Sequence, residues 1–171
     1  TSVFGNETWL GGNPEWVDPE IGAGVASKEY TVFIGIDSGW NASLADYSIF
    51  IGNNTGYEAT NANTSNFIGY NAGIRATDAV GSNFFGSYAG SHADGAYNSN
   101  FFGSNAGRAN DYYGSSSSDS HDSNFFGGQS GYRANNAPYS NFFGSDSGYL
   151  ASNAANSIFI FWIFLLVSFN S

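Results

Sequence analysis

The side chains that could carry out chemistry are few and are spread thinly along the chain. The sequence has two histidines, His92 and His121, and no cysteine. Imidazole and carboxylate groups together could ligate a metal ion, and His121 lies in such a run, residues 119–122 (DSHD). A solvated loop explains the same run without a metal, and the lack of cysteine excludes thiolate sites and disulfides. We therefore predict no metal site and no cofactor.

The charged residues are also too sparse for catalysis. They make up 11% of the 171 residues, with 14 Asp and Glu against 4 Lys and Arg, so the net charge is −10. Solenoid enzymes that cleave polysaccharides hold paired carboxylates or basic groups in a groove, whereas the acidic residues here are scattered. We predict no catalytic residues and no enzymatic activity. The acidic balance also argues against nucleic acid or a membrane surface as a partner.

An internal repeat of 17 residues takes up about three quarters of the chain. Its best example is residues 82–98 (SNFFGSYAGSHADGAYN). A short segment with two aromatic residues ends at one Gly, and a second Gly follows four residues later. The repeats run from about residue 31 to residue 160. One unit has 24 residues, and its seven extra residues fall within residues 111–122. The first Gly recurs at Gly35, Gly52, Gly69, Gly86, Gly103, Gly127 and Gly144.

This period predicts an all-β fold. At roughly 3.3 Å per residue, 17 residues make a loop of about 56 Å, which suits one coil of a parallel β-solenoid with short strands joined at Gly corners. Helical-hairpin repeats are about twice as long and do not fit. We predict a parallel β-solenoid (β-helix or β-roll) of about seven to eight coils over residues 31–160. Residues 1–30 are predicted to form an N-terminal cap, and residues 161–171 a hydrophobic C-terminal segment.

Each predicted strand carries two neighbouring apolar positions. Successive side chains of a strand point to opposite faces, so the two positions form separate ladders and only one can fill the interior. We predict that one ladder is buried within the chain and the other between chains, since so much exposed apolar surface is unusual in a soluble monomer. The ladder residues expected to form the core or to drive self-assembly are Phe67, Ile68, Phe84, Phe85, Phe101, Phe102, Phe125, Phe126, Phe142 and Phe143.

The residue before the first Phe is Asn in five successive units. Stacked coils would bring these amides above one another, each donating a hydrogen bond to the next. An exposed Asn that favours strand entry explains the same pattern. We predict an Asn ladder of Asn66, Asn83, Asn100, Asn124 and Asn141.

The repeat resembles those of several surface proteins. The unit x-F-[IF]-G-x-x-[AS]-G-x-x-A, in forms such as SNFIGYNAG and SNFFGSNAG, resembles repeats of bacterial surface proteins and phage-type tail-fibre proteins. It is also similar to the head repeats of trimeric autotransporter adhesins, S-V-A-I-G-x-x-A, which are left-handed parallel β-rolls that trimerise through strand faces. The period here is longer than that of the adhesin head, and Phe stands where the adhesin places a small residue near the trimer axis.

Ten consecutive apolar residues, 158–167 (IFIFWIFLLV), lead into the C-terminal segment. A membrane-spanning helix needs about 20 residues, so a conventional transmembrane anchor is not predicted. A closing strand that docks on a neighbouring subunit, a tail removed during lipid anchoring and an error in the sequence record are the alternative interpretations.

The interpretation we favour is a non-enzymatic structural protein, secreted with its signal removed, whose solenoid subunits self-assemble into a fibre or surface appendage. Its partner is then itself, as a homo-oligomer or polymer. The alternative is a binding module, an adhesin head or phage-type tail-fibre tip that recognises a glycan or cell-surface receptor. Ice binding is a third interpretation, but the threonines are scattered. In a secreted protein the candidate glycosylation sites are Asn6, Asn41, Asn53 and Asn63.

Overall fold

The strands of the protein are short and evenly spaced. The computed structural model describes residues 2–4, 7–10, 31–109 and 117–160. These ranges form strands and turns without a helix, so none of them provides a long apolar helix that could cross a membrane. The strands are β1 (Ser2–Phe4), β2 (Glu7–Leu10), β3 (Val32–Ile34), β4 (Ile49–Ile51), β5 (Asn66–Ile68), β6 (Asn83–Phe85), β7 (Ala93–Asp94), β8 (Asn100–Phe102), β9 (Ser117–Ser118), β10 (Asn124–Phe126), β11 (Asn141–Phe143) and β12 (Ile158–Ile160).

Eight of these strands, one from each repeat, stack in parallel and in register. Their order in the sheet is β3-β4-β5-β6-β8-β10-β11-β12. Each Phe pairs with the same Phe of the next repeat, as Phe84 does with Phe101, so equivalent side chains lie above one another along the solenoid axis. The prediction of an all-β parallel solenoid is confirmed, with about seven turns.

An antiparallel hairpin extends the N-terminal edge of this sheet. β1 pairs with β2, and β2 runs parallel to β3, with Thr8 opposite Val32. The hairpin belongs to the segment predicted as a cap, and it covers the edge that β3 would otherwise leave open. Residues 11–30 of the predicted cap and the predicted C-terminal segment, residues 161–171, lie outside the described residues.

The long repeat departs from the others at one place. Ala93 of β7 pairs with Ser117 of β9, which lies 24 residues further along the chain. The amide of Ala109 still donates to the carbonyl of Ser91, which is the contact made in repeats of 17 residues. The seven additional residues therefore enter between Ala109 and Ser117. Residues 119–122, which the sequence analysis included in the insertion, follow the regular coil.

The inner row of phenylalanines fills the interior. The first Phe of each strand points inward, and from Phe50 to Phe142 its exposure is at most 1%. Neighbouring rings along this stretch are stacked, with centroids 4.6–4.9 Å apart. Buried alanines such as Ala72 and Ala89 supply the small residues around them. The sequence left open which ladder lies inside, and the structure assigns the first position of each pair to the core.

Two positions in each coil require glycine, because other atoms of the protein lie where a Cβ atom would be. Gly86 follows its strand with a φ of +135°, and a Cβ there would lie 2.5 Å from the Gly103 carbonyl oxygen of the next coil. Gly90 has a φ of +62°, and a Cβ there would lie 2.3 Å from the ring of Phe84 in the same coil. The Gly-x-x-x-Gly spacing thus reflects one contact between coils and one within a coil.

Corners built from left-handed residues explain why the chain is rich in Asn. Among the described residues, 25 non-glycine positions have a positive φ, and Asn or Asp occupies 14 of them. Their short polar side chains hydrogen-bond locally and tolerate this region better than most other residues do. The chain is therefore rich in Asn and Gly because so many of its residues lie at corners that need a positive φ.

Candidate interaction surface

The second apolar position of each strand points outward and forms a continuous row, here called the outer row. In its C-terminal half the rings stack on one another, with centroids 4.8, 5.0 and 5.5 Å apart. The exposed fraction reaches 36% at Phe126 and 41% at Phe143, whereas Phe85 and Phe102 are half-buried. The members of the outer row are Ile34, Ile51, Ile68, Phe85, Phe102, Phe126, Phe143 and Ile160.

A row of amides runs beside the outer row, two residues earlier in each strand. Each Asn Nδ2 donates to the Oδ1 of the next Asn at 2.8 Å, in all four steps from Asn66 to Asn141. The predicted Asn ladder is confirmed, and its members are half-buried. An amide within the ladder uses one donor and one acceptor in this way, so it keeps a second donor and a second lone pair for another partner.

The outer row and the amide row together form one surface of the sheet, here called the outer face. Beyond the Asn ladder, the amide row is continued by Val32, Ile49 and Ile158. None of the sixteen side chains of the two rows is charged, although the chain has a net charge of −10. Eight strands at a spacing of about 4.8 Å give this face a length of about 34 Å. The outer face is therefore long, uncharged and partly apolar.

Comparison with protein-family models, with curated proteins and with solved structures gives no match for this chain. The resemblance to adhesin heads and fibre repeats thus remains one of repeat pattern. The structure does show the architecture that this pattern predicts. It is a parallel β-solenoid with a period of about 17 residues, stacked Phe rings and a ladder of Asn side chains.

A fourth ladder, made of serine, was not predicted from the sequence. The residue before the amide row is Ser in seven successive repeats, and from Ser48 to Ser140 it is fully buried. The Ser99 hydroxyl donates to the Ser120 carbonyl of the next coil at 2.7 Å and accepts the Ser123 amide at 3.1 Å. Each hydroxyl thus joins two coils where the strand begins. The available signal was the constant Ser of the SNFFG motif.

The DSHD run lies in a regular corner of the solenoid, where Ser120 and His121 are largely buried and Asp119 is exposed to solvent. The His121 side chain is 12% exposed, with its ring stacked on Tyr97 at 4.5 Å and edge-on to Tyr139 at 4.9 Å. Its Nδ1 lies 2.9 Å from Asp122 and its Nε2 lies 3.3 Å from Asp119. The carboxylates sit at different nitrogens of the ring, so the three groups do not converge. No group of three or more potential ligands in the described ranges is placed to hold a metal ion.

Two stacked aromatic pairs lie just after the second Gly of their coils. Trp40 stacks on Tyr57 with centroids 4.7 Å apart, and Tyr132 stacks on Tyr149 at 5.2 Å. Trp40 and Tyr149 are exposed. Desolvation and the neighbouring Glu58 carboxylate raise the pKa of the Tyr57 phenol above its usual value of 10.0. These pairs offer planar apolar surfaces with polar tips to solvent.

The candidate glycosylation sites differ in their surroundings. Asn41 is exposed at a corner, whereas Asn53 and Asn63 are half-buried. The Oδ1 of Asn63 accepts the Asp46 amide at 2.9 Å, so this side chain helps to join two coils. Asn6 lies outside the described residues. Of the three described sites, Asn41 presents its side chain to solvent most fully.

Proposed function

We propose that the protein is a non-enzymatic, extracellular structural protein whose solenoid subunits self-assemble into a fibre or surface appendage. The observation that carries the proposal is the outer face, where Phe126 and Phe143 remain substantially exposed at the end of a stacked row. In-register rows of aromatic and amide side chains are the surfaces that pack between sheets in repetitive β assemblies. A second copy of the chain would bring the complementary surface.

The internal ladders make the subunit suitable for this role. Neighbouring coils are joined by backbone pairing, by Ser hydroxyls such as Ser99, by the Asn ladder and by the stacked inner rings. Such a rod keeps its side chains in fixed register along its whole length. The conformational entropy lost on association is then small, because the contacting groups are already ordered.

The test compares a change on the outer face with a matched change in the core. Replacing Phe85, Phe102 and Phe126 by Asp should leave folded coils that no longer associate. Circular dichroism reports the fold, while sedimentation and electron micrographs report the assembly. The unmodified protein should sediment as an oligomer or filament, and a monomer at every concentration contradicts the proposal.

The control replaces Phe84, Phe101 and Phe125, the inner neighbours of the same three residues, by Asp. Each unpaired buried carboxylate costs several kcal/mol, so this variant should be unfolded. If the outer variant also unfolds and the unmodified protein is monomeric, the second ladder serves the fold of a single chain and the assembly role is wrong.

The extracellular placement is supported by the resemblance of the repeat to those of surface and tail-fibre proteins. Antibody labelling of intact cells that produce the protein tests it. Labelling that appears only after the cells are permeabilised would contradict the placement.

A receptor-binding module, such as an adhesin head or fibre tip, is the second candidate function. The stacked pair of Trp40 and Tyr57 favours it, because a sugar ring packs well on an exposed aromatic face. Binding to a panel of immobilised glycans tests this role, with Trp40→Ala as the variant and Tyr139→Ala, which alters another exposed ring, as the control. Loss of binding in the first variant alone supports it.

A further inference from the structure

We infer that two copies of this chain dock through their outer faces with the solenoid axes antiparallel, around a two-fold axis that runs along the strands between β6 and β8. The inference rests on the proposed self-assembly and specifies how the copies meet. Two symmetric arrangements are available to a pair of facing sheets with aligned strands. The second has its two-fold axis along the solenoid axis, so that the solenoids run parallel.

The shape of the outer row is compatible with the antiparallel arrangement. The row carries Ile in its N-terminal part and Phe further along. The antiparallel arrangement sets Ile51 opposite Phe143 and Ile68 opposite Phe126. A small side chain faces a large one in these pairs, whereas Phe85 faces Phe102 at the centre and Ile34 faces Ile160 at the ends. Such a row fits between sheets about 10 Å apart.

The amide row favours the same arrangement. With the axes antiparallel, Asn83 faces Asn100 and Asn66 faces Asn124, so the spare donors and lone pairs of these four amides meet one another. Of the five ladder residues only Asn141, which faces Ile49, has no amide opposite it. In the parallel arrangement each amide row faces an outer row, and these groups are buried against Phe and Ile without partners. Unpaired buried polar groups are unfavourable, so the parallel pair should be the weaker one.

The charge and the buried area of the interface indicate how stable this dimer is. The outer face has no charged side chain, so docking buries no charged group, and the net charge of −10 lies on other surfaces. A face about 34 Å long and about 12 Å wide buries on the order of 1,000 Å² over both copies, the lower end for specific interfaces. The dimer should therefore depend on concentration. A two-fold contact is closed, so a fibre would grow from this dimer through other surfaces, and a chain that cannot form the dimer should not assemble.

Single cysteines test the arrangement cleanly, because the natural chain has none. Asn66→Cys, Asn124→Cys and Ile68→Cys are prepared separately, and Thr60→Cys, on the exposed β7–β9 side of the coil, is the control. A short bis-maleimide links the thiols in mixed pairs, since facing sheets lie about 10 Å apart, beyond the reach of a disulfide. Mass spectrometry identifies which two variants have been joined, and circular dichroism checks that each is folded.

The expected result is that Asn66→Cys joins Asn124→Cys on the order of tenfold more than it joins Thr60→Cys, because docking replaces a random encounter with a local one. Linkage of Asn66→Cys to Ile68→Cys instead identifies the parallel arrangement. That result, or a trimer in sedimentation, overturns the inference and leaves self-assembly standing. A monomer at every concentration overturns both.

Small-angle X-ray scattering of the unmodified protein gives a test that does not depend on any variant. Face-to-face docking doubles the thickness of the particle and leaves its length unchanged. Doubling of the length without a change in thickness would show end-to-end stacking and overturn the docking geometry.

Discussion

Replacing Gly90 by Ala tests whether the second glycine of the repeat is there to admit the buried ring. A Cβ at Gly90 would lie 2.3 Å from Cδ2 and 2.5 Å from Cε2 of Phe84. The ring cannot retreat easily, because it is fully buried and stacked between Phe67 and Phe101. The substitution should therefore force either the ring or the backbone of the corner to move.

The expected loss has two parts. A left-handed backbone costs a residue with a Cβ about 1–2 kcal/mol, and overpacking a tight core costs about 1–3 kcal/mol. Gly90→Ala should thus lower the free energy of unfolding by about 2–5 kcal/mol, a large share of the 5–15 kcal/mol that roughly describes ordinary domains. Gly95→Ala is the matched control, because Gly95 has the same φ of +62° but its Cβ would meet nothing closer than 3.5 Å.

Urea unfolding followed by circular dichroism gives both free energies. The control should lose only the backbone part, about 1–2 kcal/mol. Combining Gly90→Ala with Phe84→Leu should cost less than the sum of the two single changes, because the smaller side chain makes room for the methyl group. Equal losses at Gly90 and Gly95, with no coupling to Phe84, would refute the explanation by ring contact.

Three further outcomes are expected. Ser99→Ala leaves a buried carbonyl and a buried amide without their partner, so it should lower the free energy of unfolding by about 2–4 kcal/mol. In the same urea experiment the control Ser104→Ala, at an exposed position, should change this free energy by less than about 0.5 kcal/mol. Deleting residues 110–116 restores the 17-residue period and should change the free energy of unfolding by less than about 1 kcal/mol; loss of the folded circular dichroism spectrum would show that this segment packs on the core. Folding favours the neutral Tyr57 phenol, because its pKa is raised above 10.0 in the folded chain. The stability that this contributes is present below pH 10 and should fall as the pH rises through the folded pKa. In urea titrations at alkaline pH, Tyr57→Phe should lose less stability than the unmodified protein.

The fold class could be predicted because it depends on spacing alone. Equivalent residues such as Gly86 and Gly103 recur at 17 residues, and that period excludes most helical repeats. The Asn ladder followed from the same register, since in-register stacking superimposes identical positions. Which Phe lies inside did not follow, because alternation shows only that neighbours face opposite ways. The contact of Gly90 with the ring of Phe84 decides the question, and it becomes visible only in three dimensions.

Two features escaped the sequence analysis for different physical reasons. The role of Ser99 was missed because a small hydroxyl is typical of both exposed turns and buried inter-coil contacts, and burial separates the two. The surroundings of His121 were misjudged because a serine-rich stretch leaves the start of the insertion ambiguous. The Ala109 amide on the Ser91 carbonyl fixes that start, and pairing of Ala93 with Ser117 fixes the end, so that His121 falls in the regular coil and stacks on Tyr97.

The two apolar positions of the strand have separable physical roles. The first is buried at Phe84 and Phe101, so the core of each coil requires it. The second lies on the opposite side of the strand, and at Phe143 it is 41% exposed, so a polar residue there would leave the inner packing unchanged. Nevertheless all eight repeats carry Ile or Phe at this position. Exposing such a row to water is unfavourable for a single chain, and the association that we propose through the outer face would offset that cost.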